Sequence, residues 1–126
     1  RPTEEEGDEA YPGLLILRTE GRLTFANADR AREKMQALAA QTNPQVIVLE
    51  CSAIPDIEYT ALMTLTEAEE TLRSRGVTLW LAAVNPGLLE RIQVSPLGER
   101  LGGDRMFFNL FKVLERWEEQ AGRGSV

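Results

Sequence analysis

Short aliphatic runs alternate along the chain with segments whose apolar residues recur at helical spacing. Residues 45–51 contain a run of valine, isoleucine and leucine without polar alternation, which predicts a central strand covered on both faces. Residues 77–84 repeat that pattern. Residues 14–17 and 22–25 predict two shorter strands that are joined tightly at Gly21.

Four segments show the spacing of amphipathic helices. Asn27, Asn85 and Asn109 each precede one of them, and an asparagine side chain can accept a hydrogen bond from the free N–H groups of a first turn. The remaining segment begins near Glu58 and ends at Gly76, a natural left-handed cap. The apolar stripes of the four helices are Ala28, Ala31, Met35 and Leu38; Leu62, Leu65, Ala68 and Leu72; Leu88, Leu89 and Ile92; and Leu110, Val113, Leu114 and Trp117.

The order of these elements indicates the fold class. The first helix runs to about residue 40, the third is expected to end at residues 95–98, and residues 106–107 are a candidate for a last short strand. Strands that alternate with helices predict an α/β fold with a mainly parallel or mixed sheet and right-handed crossovers. Such an architecture does not by itself name a function.

Charge is distributed unevenly along the chain. The chain of 126 residues has a net charge of -6, and residues 1–10 hold five acids against a single arginine. We therefore predict an acidic, disordered linker at residues 1–11, one domain at residues 12–120 and a flexible tail at residues 121–126. The near balance of charge in the domain, without a basic stripe, predicts that nucleic acid is not a partner.

The sequence lacks the residues that several classes of active site require. The chain contains no histidine, which removes Ser-His-Asp and Cys-His nucleophiles and the usual zinc sites, and it has no phosphate-binding glycine loop. Its single cysteine, Cys51, rules out an internal disulfide and fits a reducing compartment. No apolar stretch is long enough to span a bilayer. We expect no enzymatic activity, no cofactor and no metal.

Two features near the central strand are candidates for chemistry. Glu50, Asp56 and Glu58 could form a carboxylate pair or a hard-metal site in a small enzyme, but acids in such loops usually face solvent or cap helices. Thr60 lies in the first turn of the second helix, where a phosphate would be stabilised by free N–H groups and the helix dipole. The position also suits an unmodified threonine that caps the helix, and the sequence favours this role.

Two segments resemble a known family. Residues 48–62 (VLECSAIPDIEYTAL) resemble the central signature of STAS domains, which occur in SulP anion transporters and in anti-sigma factor antagonists. Residues 23–28 (LTFANA) resemble a segment of the transporter branch, and residues 75–79 and 103–107 match later landmarks. The resemblance covers about residues 12–118.

The resemblance implies a STAS-type mixed sheet of four to five strands flanked by about four helices. It also implies a non-catalytic regulatory and assembly domain of a SulP-type secondary anion transporter, located on the cytoplasmic side of the inner membrane. The implied partners are the transmembrane domain of its own transporter, a second copy of the domain, or a cytosolic regulatory protein. The alternative is a free-standing anti-sigma factor antagonist that is switched by phosphorylation.

The resemblance also points to an interaction surface. Thr60 matches the hydroxyl residue that is phosphorylated in the antagonists, whereas Tyr59 replaces a hydroxyl residue and Glu58 replaces an aspartate. These replacements alter how a kinase or an anti-sigma protein would dock. We expect the surface to comprise Asp56, Glu58, Tyr59, Thr60 and Met63, with Thr60 as the candidate phosphoacceptor.

Overall fold

The computed structural model of the chain describes residues 8–124, which form one sheet and five α-helices. The elements in chain order are β1 (Glu9–Tyr11), β2 (Leu14–Arg18), α1 (Phe25–Thr42), β3 (Val46–Glu50), α2 (Tyr59–Ser74), β4 (Thr78–Ala82), α3 (Pro86–Gln93), α4 (Pro96–Leu101), β5 (Met106–Phe107) and α5 (Leu110–Gly124). The α/β class and the mixed sheet of four to five strands are confirmed.

The five strands lie in the sheet in their order along the chain, from β1 to β5. β1 runs antiparallel to β2, and all later neighbours are parallel. Arg18 of β2 lies opposite Glu50 of β3, which lies opposite Ala82 of β4. The parallel strands therefore end together, and we call this side the carboxyl end of the sheet. Helices α1, α2, α3 and α5 start there.

Alternating side chains of the strands fill two separate cores. Leu15, Ile47 and Leu79 point to the face that is covered by α1 to α4. On the other face, Val48 and Trp80 pack with Val113 of α5. Both faces of the central strands are buried, which explains why their sequences lack polar alternation.

Three corrections concern the ends of the domain and the segment after α3. Glu9–Tyr11, which fall within the predicted linker, form β1, and residues 121–124 of the predicted tail continue α5. Residues 1–7 and 125–126 lie outside the described residues. The segment expected only to end α3 forms a further helix, α4, whose N-cap is Ser95. A Cβ on Gly98 would lie 2.3 Å from the carbonyl oxygen of Ile92, so α4 can pack this closely only with glycine there.

The predicted strand at residues 22–25 is wrong, and so is the predicted cap at Asn27. Only Leu23 makes a β-bridge, to Ile57, and the chain then turns directly into α1. The N-cap is Thr24, whose hydroxyl accepts from the Asn27 N–H, while the Asn27 side chain accepts from the Thr24 N–H. Asn27 thus takes the third helical position in a reciprocal capping box.

The other predicted caps are confirmed. Asn85 accepts a hydrogen bond from the Leu88 N–H at the start of α3, and Asn109 accepts one from the Lys112 N–H at the start of α5. Gly76 follows α2 with a left-handed φ of 81°. These positions were predictable because capping depends on contacts within a single turn.

Candidate functional site

The start of α2 is held in place from two sides, by the main chain of Leu23 and by the side-chain amide of Asn85. On one side, Leu23 donates its N–H to the carbonyl of Asp56 and accepts from the N–H of Glu58, both at 2.9 Å. On the other side, the Asn85 amide nitrogen lies 3.3 Å from the Ile54 carbonyl oxygen and 3.2 Å from that of Pro55. The loop between β3 and α2 is therefore fixed by residues far away in the sequence.

Two arginines converge on the acids of this loop. Asp56 Oδ2 lies 3.3 Å from Arg22 Nε, and Asp56 Oδ1 lies 3.0 Å from Arg91 Nη1. Glu58 Oε2 lies 3.2 Å from Arg22 Nη1. The backbone N–H of Ile57 and, after it, the two arginines lower the pKa of Asp56 below its ordinary value of 3.8.

Glu58 occupies the N-cap position of α2 but makes no capping hydrogen bond with its side chain. Its carboxylate contacts Arg22 instead. Thr60 is the second residue of the helix, and its side chain is exposed. The prediction that Thr60 caps the helix is therefore wrong, whereas the prediction that it lies in the first turn is confirmed. An exposed hydroxyl in this turn is accessible to another protein.

Tyr59 and Met63 form one wall of a shallow groove beside the same helix start. The groove has a volume of about 380 Å³, and its other wall comes from the junction between α3 and α4. Its lining residues are Tyr59, Leu62, Met63, Arg91, Val94, Ser95 and Pro96. We call it the α2–α3 groove. The structure thus places all five predicted surface residues in the loop before α2 or in its first two turns.

The three acids that the sequence grouped together do not share a site. Glu50 Oε1 accepts hydrogen bonds from the Ser52 N–H at 2.6 Å and from the Ser52 hydroxyl at 2.7 Å. Asp56 and Glu58 instead pair with Arg22. Within residues 8–124, no three acidic or cysteine side chains are grouped closely enough to hold a metal ion. The metal hypothesis therefore has no geometric support in that range, and the two acids that do meet, Asp56 and Glu58, are both paired with Arg22.

Three residues of this region escaped prediction. Arg22 and Arg91 contact Asp56 across 34 and 35 residues of sequence, and no local pattern reports such distant pairs. Phe25, the first residue of α1, is 58% exposed. An aromatic residue at the first position of a helix is a signal that could have identified Phe25, if the start of α1 had been predicted correctly.

A larger cavity of about 680 Å³ lies elsewhere, between α1 and the ends of β2 and β3. Arg18 and Lys34 line it, but acids already hold both: Arg18 Nη2 lies 3.2 Å from Glu9 Oε1, and Lys34 pairs with Asp8. Asp8 is 3% exposed, and burial raises its pKa while it lowers that of Lys34. The Asp8–Lys34 pair joins the residue before β1 to α1, and the Glu9–Arg18 pair joins β1 to β2. We assign the cavity no function.

The geometry matches a known family over most of the chain. The family model of the STAS domain matches residues 8–116. The chain belongs to the STAS domain family. Over 112 residues this STAS domain is 28% identical to high affinity sulfate transporter 2 of Stylosanthes hamata, covering 81% of the chain and 17% of the relative. Over 101 residues it is 31% identical to a probable sulfate transporter of Mycobacterium tuberculosis, with coverages of 79% and 18%.

Solved structures agree with this assignment. A sulfate transporter family protein from Wolinella succinogenes is 27% identical with a TM-score of 0.78, covering 87% of this chain and 88% of that one. The SulP transporter STAS domain of Vibrio cholerae has the same TM-score at 18% identity, with coverages of 91% and 88%. The anti-sigma factor antagonist SpoIIAA, at 15% identity and a TM-score of 0.72, shares the fold alone; it covers 89% of this chain and 95% of that one.

The STAS domain spans less than a fifth of the length of the sulfate transporters it matches. None of the helices among residues 8–124 combines the length and the apolar composition that are needed to cross a bilayer.

Proposed function

We propose that this STAS domain is the regulatory and assembly module of a SulP-type secondary anion transporter, attached to a transmembrane part on the cytosolic side of the inner membrane. The observation that carries the proposal is the difference between the covered fraction of this chain and the covered fraction of its relatives. About four-fifths of this chain matches less than one-fifth of proteins named as sulfate transporters. We infer that a module of this size regulates and assembles the larger part of such a protein, which is embedded in the membrane and carries out transport.

The side chains between the end of β3 and the start of α2 support a non-catalytic role. Asp56 is shared between Arg22 and Arg91 and has a lowered pKa, which makes it a weak base. Cys51 is buried, and burial raises the pKa of its thiol to about 12, so the nucleophilic thiolate is scarce near neutral pH. These groups hold the fold together and are poorly suited to proton or acyl transfer.

The proposed contact surface is the start of α2, with Asp56, Glu58, Tyr59, Thr60 and Met63. It would receive the transmembrane domain, a second copy of the domain or a cytosolic regulatory protein. Phosphorylation of Thr60 would place a dianion in the first turn of a 16-residue helix, where the dipole and free N–H groups favour negative charge. The same dianion would change the charge that the surface presents to a partner.

The alternative function, an anti-sigma factor antagonist, is supported by the exposed hydroxyl of Thr60 in the first turn of α2. Its likeness to SpoIIAA, at 15% identity, extends to the fold alone. Glu58 and Tyr59 also change the chemistry of the two positions directly before the antagonist phosphosite. We therefore favour the transporter.

The test is anion uptake by the full protein that contains this domain. The complete reading frame is expressed in a bacterial strain that lacks sulfate uptake, and uptake of labelled sulfate, bicarbonate and a dicarboxylate is measured separately. We expect uptake of at least one anion, and a severalfold loss when residues 8–124 are deleted although the protein still reaches the membrane. Absence of uptake for all three anions, or uptake indifferent to the deletion, would contradict the proposal.

The role of Thr60 is tested in the same assay with Thr60→Asp, which imitates a phosphate. The control is Thr71→Asp, because Thr71 is also exposed on α2 but lies three turns further along. We expect only Thr60→Asp to change uptake or partner binding, with both variants folded. Equal behaviour of the two variants would remove Thr60 from the contact surface.

A further inference from the structure

The α2–α3 groove is lined in part by apolar side chains that are exposed to solvent. Tyr59 is 68% exposed and Val94 is 85% exposed, and together with Met63 they line the groove. Tyr59 and Val94 are among the few large apolar side chains that the described part of the chain leaves exposed, whereas Met63 is half-buried. Clusters of exposed apolar residues on a small domain commonly mark an interaction site.

The wall that carries Val94 has a fixed shape. Val94 is the C-cap of α3, and its backbone N–H bonds to the carbonyl of Glu90. The next residue, Ser95, donates its hydroxyl to the Ile92 carbonyl at 2.6 Å and accepts from the Gly98 N–H as the N-cap of α4. Because two helices meet at this point, the exposure of Val94 belongs to a preformed surface.

One charged group lies in the groove. Arg91 is the only charged residue that the described part of the chain places in its lining, and Arg91 Nη1 donates to Asp56 Oδ1 at 3.0 Å. A guanidinium has five N–H donors arranged in a planar fork, so this bond leaves donors that can receive a second carboxylate. Among the described residues the lining contains no acid, and Asp56 lies outside it as the ion-pair partner of Arg91. Its charge and shape therefore fit a ligand with apolar groups next to a negative charge.

We propose that the α2–α3 groove binds a peptide segment of a cytosolic regulatory protein, in which bulky apolar side chains stand next to a carboxylate. The apolar side chains contact Tyr59, Met63 and Val94, and the carboxylate pairs with Arg91. This inference rests on the proposed regulatory function and extends its contact surface from α2 to the junction of α3 and α4. Arginine selects for charge, while the apolar walls supply most of the contact area.

Two labelled peptides of equal length serve as probes, one composed of leucine and glutamate and the other of leucine and lysine in the same pattern. Their binding to the 126-residue chain is measured by fluorescence anisotropy. We expect the acidic peptide to bind about tenfold more tightly than the basic one, as a single favourable charge pair would allow. Arg91→Glu should reverse this order, and Val94→Asp should abolish binding of the acidic peptide.

The matched control is Lys112→Glu, which makes a similar charge change on α5, on the other face of the sheet. It should leave both affinities unchanged, and circular dichroism should show all variants folded. Equal affinity for the two peptides would overturn the proposal, and so would peptide affinities that Arg91→Glu and Val94→Asp leave unchanged. So would a groove filled by a second copy, seen as a dimer that Val94→Asp dissociates without any peptide binding.

Membrane binding would also overturn it, if Val94→Asp lowered affinity for phosphatidylglycerol vesicles while neither peptide bound. These measurements use the isolated chain and no transport. Failure of peptide binding therefore leaves the uptake result of the full protein intact, and a failure of uptake leaves the peptide result intact.

Discussion

Leu23 lies opposite Ile57 in an isolated parallel bridge, and a helix begins two residues after each of them. The first residues of the two helices, Phe25 and Tyr59, are both exposed aromatics. The pairing of the two loops thus sets the starts of α1 and α2 side by side. A partner that docks on the start of α2 would meet Phe25 as well.

Asn85 combines two roles that can be separated by mutation. It caps α3 through the Leu88 N–H and donates to the carbonyls of Ile54 and Pro55. We expect Asn85→Ala to lower the free energy of unfolding by about 2 kcal/mol, since a cap contributes about 1 kcal/mol and the part-buried carbonyl of Ile54 also loses a donor. Asn109→Ala, which removes only a cap, should cost about 1 kcal/mol. Urea unfolding of both variants measures the difference, and equal losses would contradict it.

Leu62 tests the phase of α2. Its side chain is buried in the core beneath α1 to α4, although it also borders the groove. Leu62→Asp should unfold the domain, because an unpaired charge in the core costs several kcal/mol. Thr71→Asp, on the exposed face of the same helix, should stay folded. Far-ultraviolet circular dichroism distinguishes the two, and a folded Leu62→Asp variant would show that α2 is rotated from its position here.

Asp56 should make stability depend on acidic pH. Its pKa in the folded protein is depressed below 3.8, so the ionised group stabilises the fold above that value. This contribution is lost as the pH falls through the lower, folded-state pKa. We expect Asp56→Asn to be less stable than the parent at pH 7 and the gap to be smaller at pH 3, below the ordinary pKa of the group. Urea unfolding at both pH values tests this, and a gap of the same size at both would refute it.

Cys51 should be protected from alkylation while the domain is folded. The thiol is buried, donates to the carbonyl of Leu49, and has its pKa raised to about 12 by that burial. Iodoacetamide should therefore modify it slowly near neutral pH and rapidly in urea, where the thiol regains its ordinary reactivity. Mass spectrometry follows the reaction. Rapid labelling in the absence of urea would mean that the end of β3 opens to solvent.

Local signals in the sequence were enough for much of this fold. The buried runs identify β3 and β4, and the helical spacing of Leu62, Leu65, Ala68 and Leu72 identifies α2. All four of these side chains are buried. Such patterns work because a strand or helix must bury one face along its own length.

The misplaced elements depend on distant partners. Glu9–Tyr11 read as part of an acidic linker, yet they form β1 because β2 offers an edge and Asp8 pairs with Lys34 of α1. The segment at Leu23 has the alternation of a strand, but its partner is the single residue Ile57. The same limit applies to the site, because the arginines that hold Asp56 come from the segments before α1 and within α3.

The antiparallel direction of β1 has a practical consequence for labelling this protein. Asp8 accepts from the Arg18 N–H, so the chain reaches β1 at the same end of the sheet as the starts of α1 and α2. α5 runs away from that end, and Trp117 already packs against Gly13 at the opposite one. A fluorophore or affinity tag fused behind α5 would therefore leave the start of α2 unobstructed, whereas a bulky fusion just ahead of Asp8 would crowd it.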